Sequence, residues 1–229
     1  MKEQGEATKA VAETAGKAID AVREAGGFIA KYIDGPLEQA VGIFEDKLKY
    51  ARWERQVRMI QQSQKFLKRS GLKAPTRAVP MKLAIPIMQG AILEDDDSLQ
   101  DRWAALLVNA ANASFPGEVR RSYATILEQL TPLDAVIFDV LYSVPFDESL
   151  HVGLLTFDLP RSTRLCKEGE HTSPPPSDEI IVSLSNLSRL GCIRPQISWG
   201  GGESLSVVNP TVAGKQFLLA CTITKPGLS

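Results

Sequence analysis

Leu93 to Leu141 reads LEDDDSLQDRWAALLVNAANASFPGEVRRSYATILEQLTPLDAVIFDVL, and its two helix-start signals set the class of the fold. At the first, Asp97 or Ser98 can accept a hydrogen bond from a free first-turn amide, and Ser98 followed by Asp101 is a short form of the capping box. The acids Glu94, Asp95, Asp96 and Asp97 fall where the helix dipole favours negative charge. Leu99, Trp103, Leu106, Leu107 and Ala110 then recur at helical spacing and give one apolar face. The second signal is Thr131-Pro132-Leu133-Asp134, with Thr131 as cap, Pro132 in the first helical position and Asp134 three past the cap. Leu133, Val136, Ile137, Val140 and Leu141 form its predicted buried stripe.

Working toward the N-terminus, Glu118–Leu130 predicts a helix before the Thr131 cap, and Met81–Met88 predicts a short helix interrupted near Pro86 that delivers Leu83, Ile85 and Ile87 to the core. Asp34-Gly35-Pro36 is a firm break. From Pro36 or Leu37 a long helical pattern reaches about Ser70, with Gly71 as its C-cap. Its apolar stripe changes phase between Leu37–Val41–Phe44–Leu48–Ala51 and Tyr50–Trp53–Val57–Ile60–Leu67, so its two halves are expected to pack on different elements. Residues 1–36 are Ala-rich and bury little area. They are expected to be an N-terminal helical segment, mobile or ordered by a partner, whose pattern resumes at Phe28, Ile29, Tyr32 and Ile33.

These readings predict a mainly α protein. A helical domain spans residues 37–143 and closes around Trp53 and Trp103. A small α+β part, resembling a winged helix, spans residues 144–229, with 131–143 able to supply its first helix. In that part a strand is expected at His151–Phe157, a helix capped by Ser177 through Leu190 and ended by Gly191, strands at Ile193–Ser198 and Leu205–Val208, and a last helix after Thr211. The spacing Leu-x-x-Leu-Gly-Cys-Ile, hairpin, Thr-x-x-Gly-x-x-Phe carries the winged-helix likeness, although no second helix is evident before Ser177. A winged helix that reads DNA should be basic, whereas here the helix after Ser177 carries Asp178, Glu179 and only Arg189. A packing or protein-interaction module is the better expectation.

The formal charge is −1 over 229 residues, but it is unevenly spread. Lys47 to Arg77 holds ten basic residues against one acid, Glu54. Lys47, Lys49, Arg52, Arg55, Arg58, Lys65, Lys68 and Arg69 decorate the long helix. Three readings stay open for them: a solvated face partly neutralised by the acids of 94–101, contact with nucleic-acid phosphates, or contact with an anionic membrane surface.

Signs of chemistry are absent from the sequence. No Walker loop, no GxGxxG after a strand, no HExxH and no GxSxG occurs. The acidic quartet lacks the alternation and central glycine of a calcium loop, and the histidines are His151 and His171 alone. Cys166 has Arg161, Arg164 and Lys167 near it in sequence but no evident base, so a structural role is expected. No metal, no cofactor and no enzymatic activity are therefore expected. Cys166, Cys192 and Cys221 are an odd, sparse set without CxxC spacing, which fits a reducing, cytoplasmic setting. No apolar run approaches the roughly 18 residues of a membrane span.

LKYARW at 48–53, LEDDDSLQDRWAALLVNA at 93–110 and ILEQLTPLDAVIFDVL at 126–141 together resemble the Abi-alpha family of bacterial domains. The matched features are Leu48–Tyr50, the acids Glu94–Asp97, the helix Trp103–Ala110 and the turn Leu127–Ala135. Ala91-Ile92-Leu93 departs from the family's usual small polar residue before the acids. The resemblance covers about residues 37–145. It implies a role in phage defence through abortive infection and no active site. A non-enzymatic protein acting by binding is the expectation, with a protein partner or a second copy as ligand and nucleic acid or an anionic membrane as alternatives.

Overall fold

The computed structural model describes residues 27–28, 30–34, 53–167, 174–197 and 202–223. Their contacts divide into two units, one running through Ala124 and including 221–223, the other Thr125–Ala220. The fold is mainly α with a small antiparallel three-stranded sheet near the C-terminus.

The first unit contains β1 (Ile33–Asp34), α1 (Trp53–Arg69), β2 (Val79–Pro80), α2 (Met81–Leu93) and α3 (Asp97–Ala110). Alternation of apolar and polar residues gives α1 one inward face: Gln56, Met59, Ile60, Ser63, Phe66 and Leu67 are buried, and Gln61, Gln64, Lys65 and Lys68 are exposed. The part of the expected long helix before Trp53 lies outside the described residues, as do the Trp53 side chain and the Ala-rich pattern before Gly27. Phe28 and Tyr32 are buried with ring centroids 4.6 Å apart. Ile33 is not helical as expected; it pairs in parallel with Val79.

The helix α3 forms the centre of this unit. Leu99, Trp103, Leu106, Leu107 and Ala110 are all buried, as their spacing predicts. Asp96, one residue earlier than expected, is the cap; its carboxylate accepts from the Ser98 and Leu99 amides at 2.9 and 3.0 Å. Trp103 lies so close to α2 that a Cβ on Gly90 would fall 2.4 Å from its ring, so only glycine admits the indole there.

Two expectations for α2 need correction. It runs through Pro86 without interruption, and its buried residues are Ala84, Ile87, Met88 and Ala91 rather than Leu83 and Ile85, which are half-buried. Proline removes one helical bond, to the carbonyl of Lys82, an exposed residue, and the buried face on either side keeps the helix whole.

The helix α4 (Arg121–Glu128) is shorter at both ends than the expected Glu118–Leu130. Its last turn tightens, with the amides of Gln129 and Leu130 donating to Ile126 and Leu127 three residues back. The second unit continues with α5 (Pro132–Tyr142), α6 (Phe146–Val152), β3 (Leu154–Leu155), α7 (Asp178–Arg189), β4 (Ile193–Ile197), β5 (Glu203–Pro210) and α8 (Val212–Ala220). The Thr131–Asp134 capping box is complete in both directions. The face α5 buries is Asp134, Ala135, Ile137, Phe138 and Leu141, so the predicted stripe was correct at Ile137 and Leu141 but Val136 is 48 % exposed.

The strand expected at His151–Phe157 is mostly something else. His151 and Val152 end α6, and only Leu154–Leu155 is extended. Asp147 and Glu148 suit the first turn of α6, and Gly153, at φ 87°, ends it in a conformation other residues rarely adopt. The strand order is β3-β5-β4, all antiparallel. Ser177 begins α7 without a side-chain bond, and Gly191, at φ 73°, follows its end.

Candidate functional site

The basic segment supplies the site, and α3 determines which of its charges are already engaged. At the N-terminal end of α3, Arg55 Nη1 reaches Asp97 Oδ1 at 2.5 Å and its other nitrogen donates to the Asp95 carbonyl. Arg58 Nε lies 3.2 Å from the same Asp97 oxygen, and its Nη1 lies 2.9 Å from Asp101 Oδ1. Between them stands Gln100, completely buried. Its amide donates to the carbonyls of Arg55 at 3.1 Å and Ala91 at 2.7 Å, and its oxygen accepts from Arg58 Nη1 at 2.9 Å. One glutamine thus ties α1, α2 and α3 together with its hydrogen-bonding groups satisfied.

The acidic run is absorbed by the same arrangement. Asp96 caps, Glu94 accepts from the Asp96 amide, and Asp97 binds both arginines. The Ser98 hydroxyl, followed by the Leu99 amide, holds the Asp96 carboxyl below its ordinary range. At the other end of α3, Arg77 Nε donates to the Ala110 carbonyl, and the amides of Thr76 and Arg77 donate to Ala111. A cation at a helix C-terminus satisfies carbonyls that have no helical partner.

Of the eight basic residues singled out from the sequence, Lys47, Lys49 and Arg52 lie outside the described residues, and Arg55 and Arg58 are ion-paired. Lys65, Lys68 and Arg69 are brought together on the exposed C-terminal half of α1, where with Gln61 and Gln64 they line a shallow concavity of about 510 Å³. Among the described residues none of these three has an acidic partner. The Arg69 guanidinium lies 5.8 Å from the centroid of the buried Phe66 ring. Arg77 and Gln100 are the residues a reading of charge alone misses: the first sits in a basic run yet serves a helix end, the second is an uncharged position on a helix already recognised.

A second cleft, of about 490 Å³, lies in the other unit between Leu150, Ile193, Arg194, Thr211 and Val212. Thr211 belongs to a hydrogen-bond knot. Tyr142 Oη donates to the Cys192 carbonyl at 2.6 Å and accepts from the Thr211 amide at 3.0 Å. The Thr211 hydroxyl accepts from the Gly214 amide at 2.9 Å and donates to the Gly191 carbonyl at 2.7 Å. Burial raises Tyr142 to about 12 and the Cys192 thiol to about 12, so both remain protonated at neutral pH. Cys166 is buried against Leu155, Val207 and Phe157, while His151 is exposed.

Among the described residues no group of three His, Cys, Asp or Glu could hold a metal ion, and no helix is long and apolar enough to cross a membrane. No curated protein and no solved structure matches the chain. The family model described as abortive infection alpha matches residues 54–221, from the start of α1 to the residue after α8, and the chain belongs to that family.

Proposed function

We propose that the protein is a phage-defence factor of the abortive-infection type that works by binding, with no chemistry of its own. Membership of the abortive infection alpha family across residues 54–221 carries the defence part of this reading. The binding part is supported by how the polar residues are used. The acids 94–97 cap and pair, the Cys192 thiol is buried and protonated, and the Tyr142–Thr211 knot fixes turns. The cations of α1 that remain exposed offer a surface for a ligand rather than a reaction centre.

In this reading the protein acts in the cytoplasm, with a protein partner or a second copy of itself among its ligands. The second unit is a winged-helix-like module: α7 leads into the β4–β5 hairpin, and β3 lies on the far side of β5. Its α7 exposes Asp178, Glu179 and Val182, the last 69 % exposed, a surface suited to protein rather than to DNA.

The test is phage plating efficiency and survival of infected cultures with and without the gene in the native host. Lower plating with early death of infected cells is the expected result. Unchanged plating across a broad phage panel overturns the defence reading.

A further inference from the structure

The two halves of α1 treat their charge differently. Arg55 and Arg58 are neutralised by Asp97 and Asp101, whereas Lys65, Lys68 and Arg69 stand exposed beside Gln61 and Gln64. The net charge of −1 means that this cluster is not the local expression of a generally basic chain. The negative end of the α1 dipole favours cations in the last turn, but it leaves two exposed ammonium groups and one exposed guanidinium with donors to offer.

We infer that the Gln61–Arg69 face of α1 binds the phosphate backbone of a double-helical nucleic acid without reading its sequence. This rests on the reading that the protein acts by binding, and gives that reading a ligand. The geometry favours a regular row of phosphates. From Gln61 to Lys68 the helix rises roughly 10 Å at 1.5 Å per residue. Measured along a duplex axis, that length is the rise over which one strand carries about three charges, at ~3.4 Å each. Lysines and an arginine supply the charge-assisted bonds, and the two glutamine amides add neutral donors beside them.

Two other polyanions fit less well. An interfacial helix needs an apolar face to enter the bilayer, and among the described side chains of α1 Met59, Ile60, Phe66 and Leu67 are buried in the unit's own core, with Val57 half-buried. A single strand is held mainly by exposed aromatic rings on which bases stack. The aromatic ring beside the cluster, Phe66, is only 7 % exposed.

The experiment is fluorescence anisotropy of labelled, mixed-sequence DNA and RNA duplexes titrated with the full chain at several salt concentrations. Three phosphate contacts predict a slope of log affinity against log salt of about −2.7, a loss of about 40-fold between about 50 and 200 mM salt. Lys65→Gln, Lys68→Gln and Arg69→Gln together remove that slope, and Lys65→Gln alone lowers its magnitude by about 0.9. All three side chains are exposed, so the circular dichroism spectrum is expected to stay as in the wild type, with the melting midpoint slightly lowered by the loss of the last-turn cations. The charge-conserving set Lys65→Arg, Lys68→Arg and Arg69→Lys retains binding. Failure of both duplexes to bind at low salt, or an unchanged slope in the folded triple Gln variant, overturns the inference. Duplex binding without phage protection defeats only the defence reading; protection without duplex binding defeats only this one.

Discussion

Each unit contains a polar knot, around Gln100 in the first and around Thr211 in the second, and the two are built from opposite materials. Around Gln100 the first unit uses charge: two arginines and two aspartates ring a buried neutral amide, and the Asp97 side chain remains 69 % exposed. Around Thr211 the second unit uses uncharged groups: a phenol, a threonine hydroxyl, backbone amides and carbonyls, packed against a glycine. Exposed ion pairs tolerate substitution because each is worth only about 0.2–1 kcal/mol. A buried neutral knot has no such latitude, because its geometry is fixed by backbone atoms. The sensitivity of each unit to mutation should follow from that difference.

Gly214→Ala gives the largest expected effect. A Cβ there would sit 2.5 Å from the Cys192 carbonyl oxygen, with the Tyr142 hydroxyl closer still. The carbonyl belongs to the turn after α7 and cannot swing aside as a side chain would. We expect a loss of about 3 kcal/mol or more, at the upper end of overpacking effects. Hydrogen exchange should rise throughout α5, α7, β4 and α8, while α1–α3 serve as the internal reference. Unchanged exchange in the second unit would mean the knot does not hold it together.

Gln100→Ala ranks next and strikes the other knot. It strands the carbonyl of Ala91 in the last turn of α2, takes a second donor from the carbonyl of Arg55 and removes one of the acceptors of Arg58. At about 1–3 kcal/mol for each buried group left unpaired, partly relieved by water, a loss of about 2–3 kcal/mol is expected in denaturant titration. Arg55→Gln, which breaks the half-exposed pair with Asp97 and the exposed bond to the Asp95 carbonyl, should cost about 1 kcal/mol or less. If the two variants were equally destabilised, the ion pairs rather than the buried amide would be the fastening of this unit.

The sequence revealed these knots unequally. Local signals were legible because they act within one helical turn. The Thr131–Asp134 box, the buried face of α3 and the glycine after α7 all appear where spacing places them. The spacing Leu-Gly-Cys-Ile and Thr-x-x-Gly contains the second knot, and its role emerges only when Tyr142, some seventy residues before Thr211, closes on it. Gln100 carried no signal, because a polar residue on an amphipathic helix normally faces water. Its partners lie on two other helices, Arg58 42 residues before it. Of the candidate site, composition identified the basic helix but could not divide its charges, since neutralisation depends on which cations α3 reaches. His151 and Val152 were misread as strand because a short run flanked by apolar residues has no decisive period.

The smallest expected effect separates the knots by pH rather than by mutation alone. Asp96 is held below its ordinary value of 3.8, foremost by the Ser98 hydroxyl. Its contribution is therefore present above pH 3.8 and is lost as pH falls through the lowered value. Asn also caps helices well but does not titrate. Asp96→Asn should leave stability at neutral pH almost unchanged and flatten the acid decline, read as melting midpoint against pH together with exchange of the first-turn amides of α3. At alkaline pH the signs reverse. Tyr142 and Cys192 are raised from 10.0 and 9.0 to about 12 each, so their contribution is complete below pH 9 and disappears as pH rises through 12. Burial raises Tyr32 and Tyr123 of the first unit as well, so alkali weakens both units. The acid side is where they part: an acid decline abolished by Asp96→Asn assigns that limb to the cap of α3, and one that persists unchanged assigns it to other carboxylates.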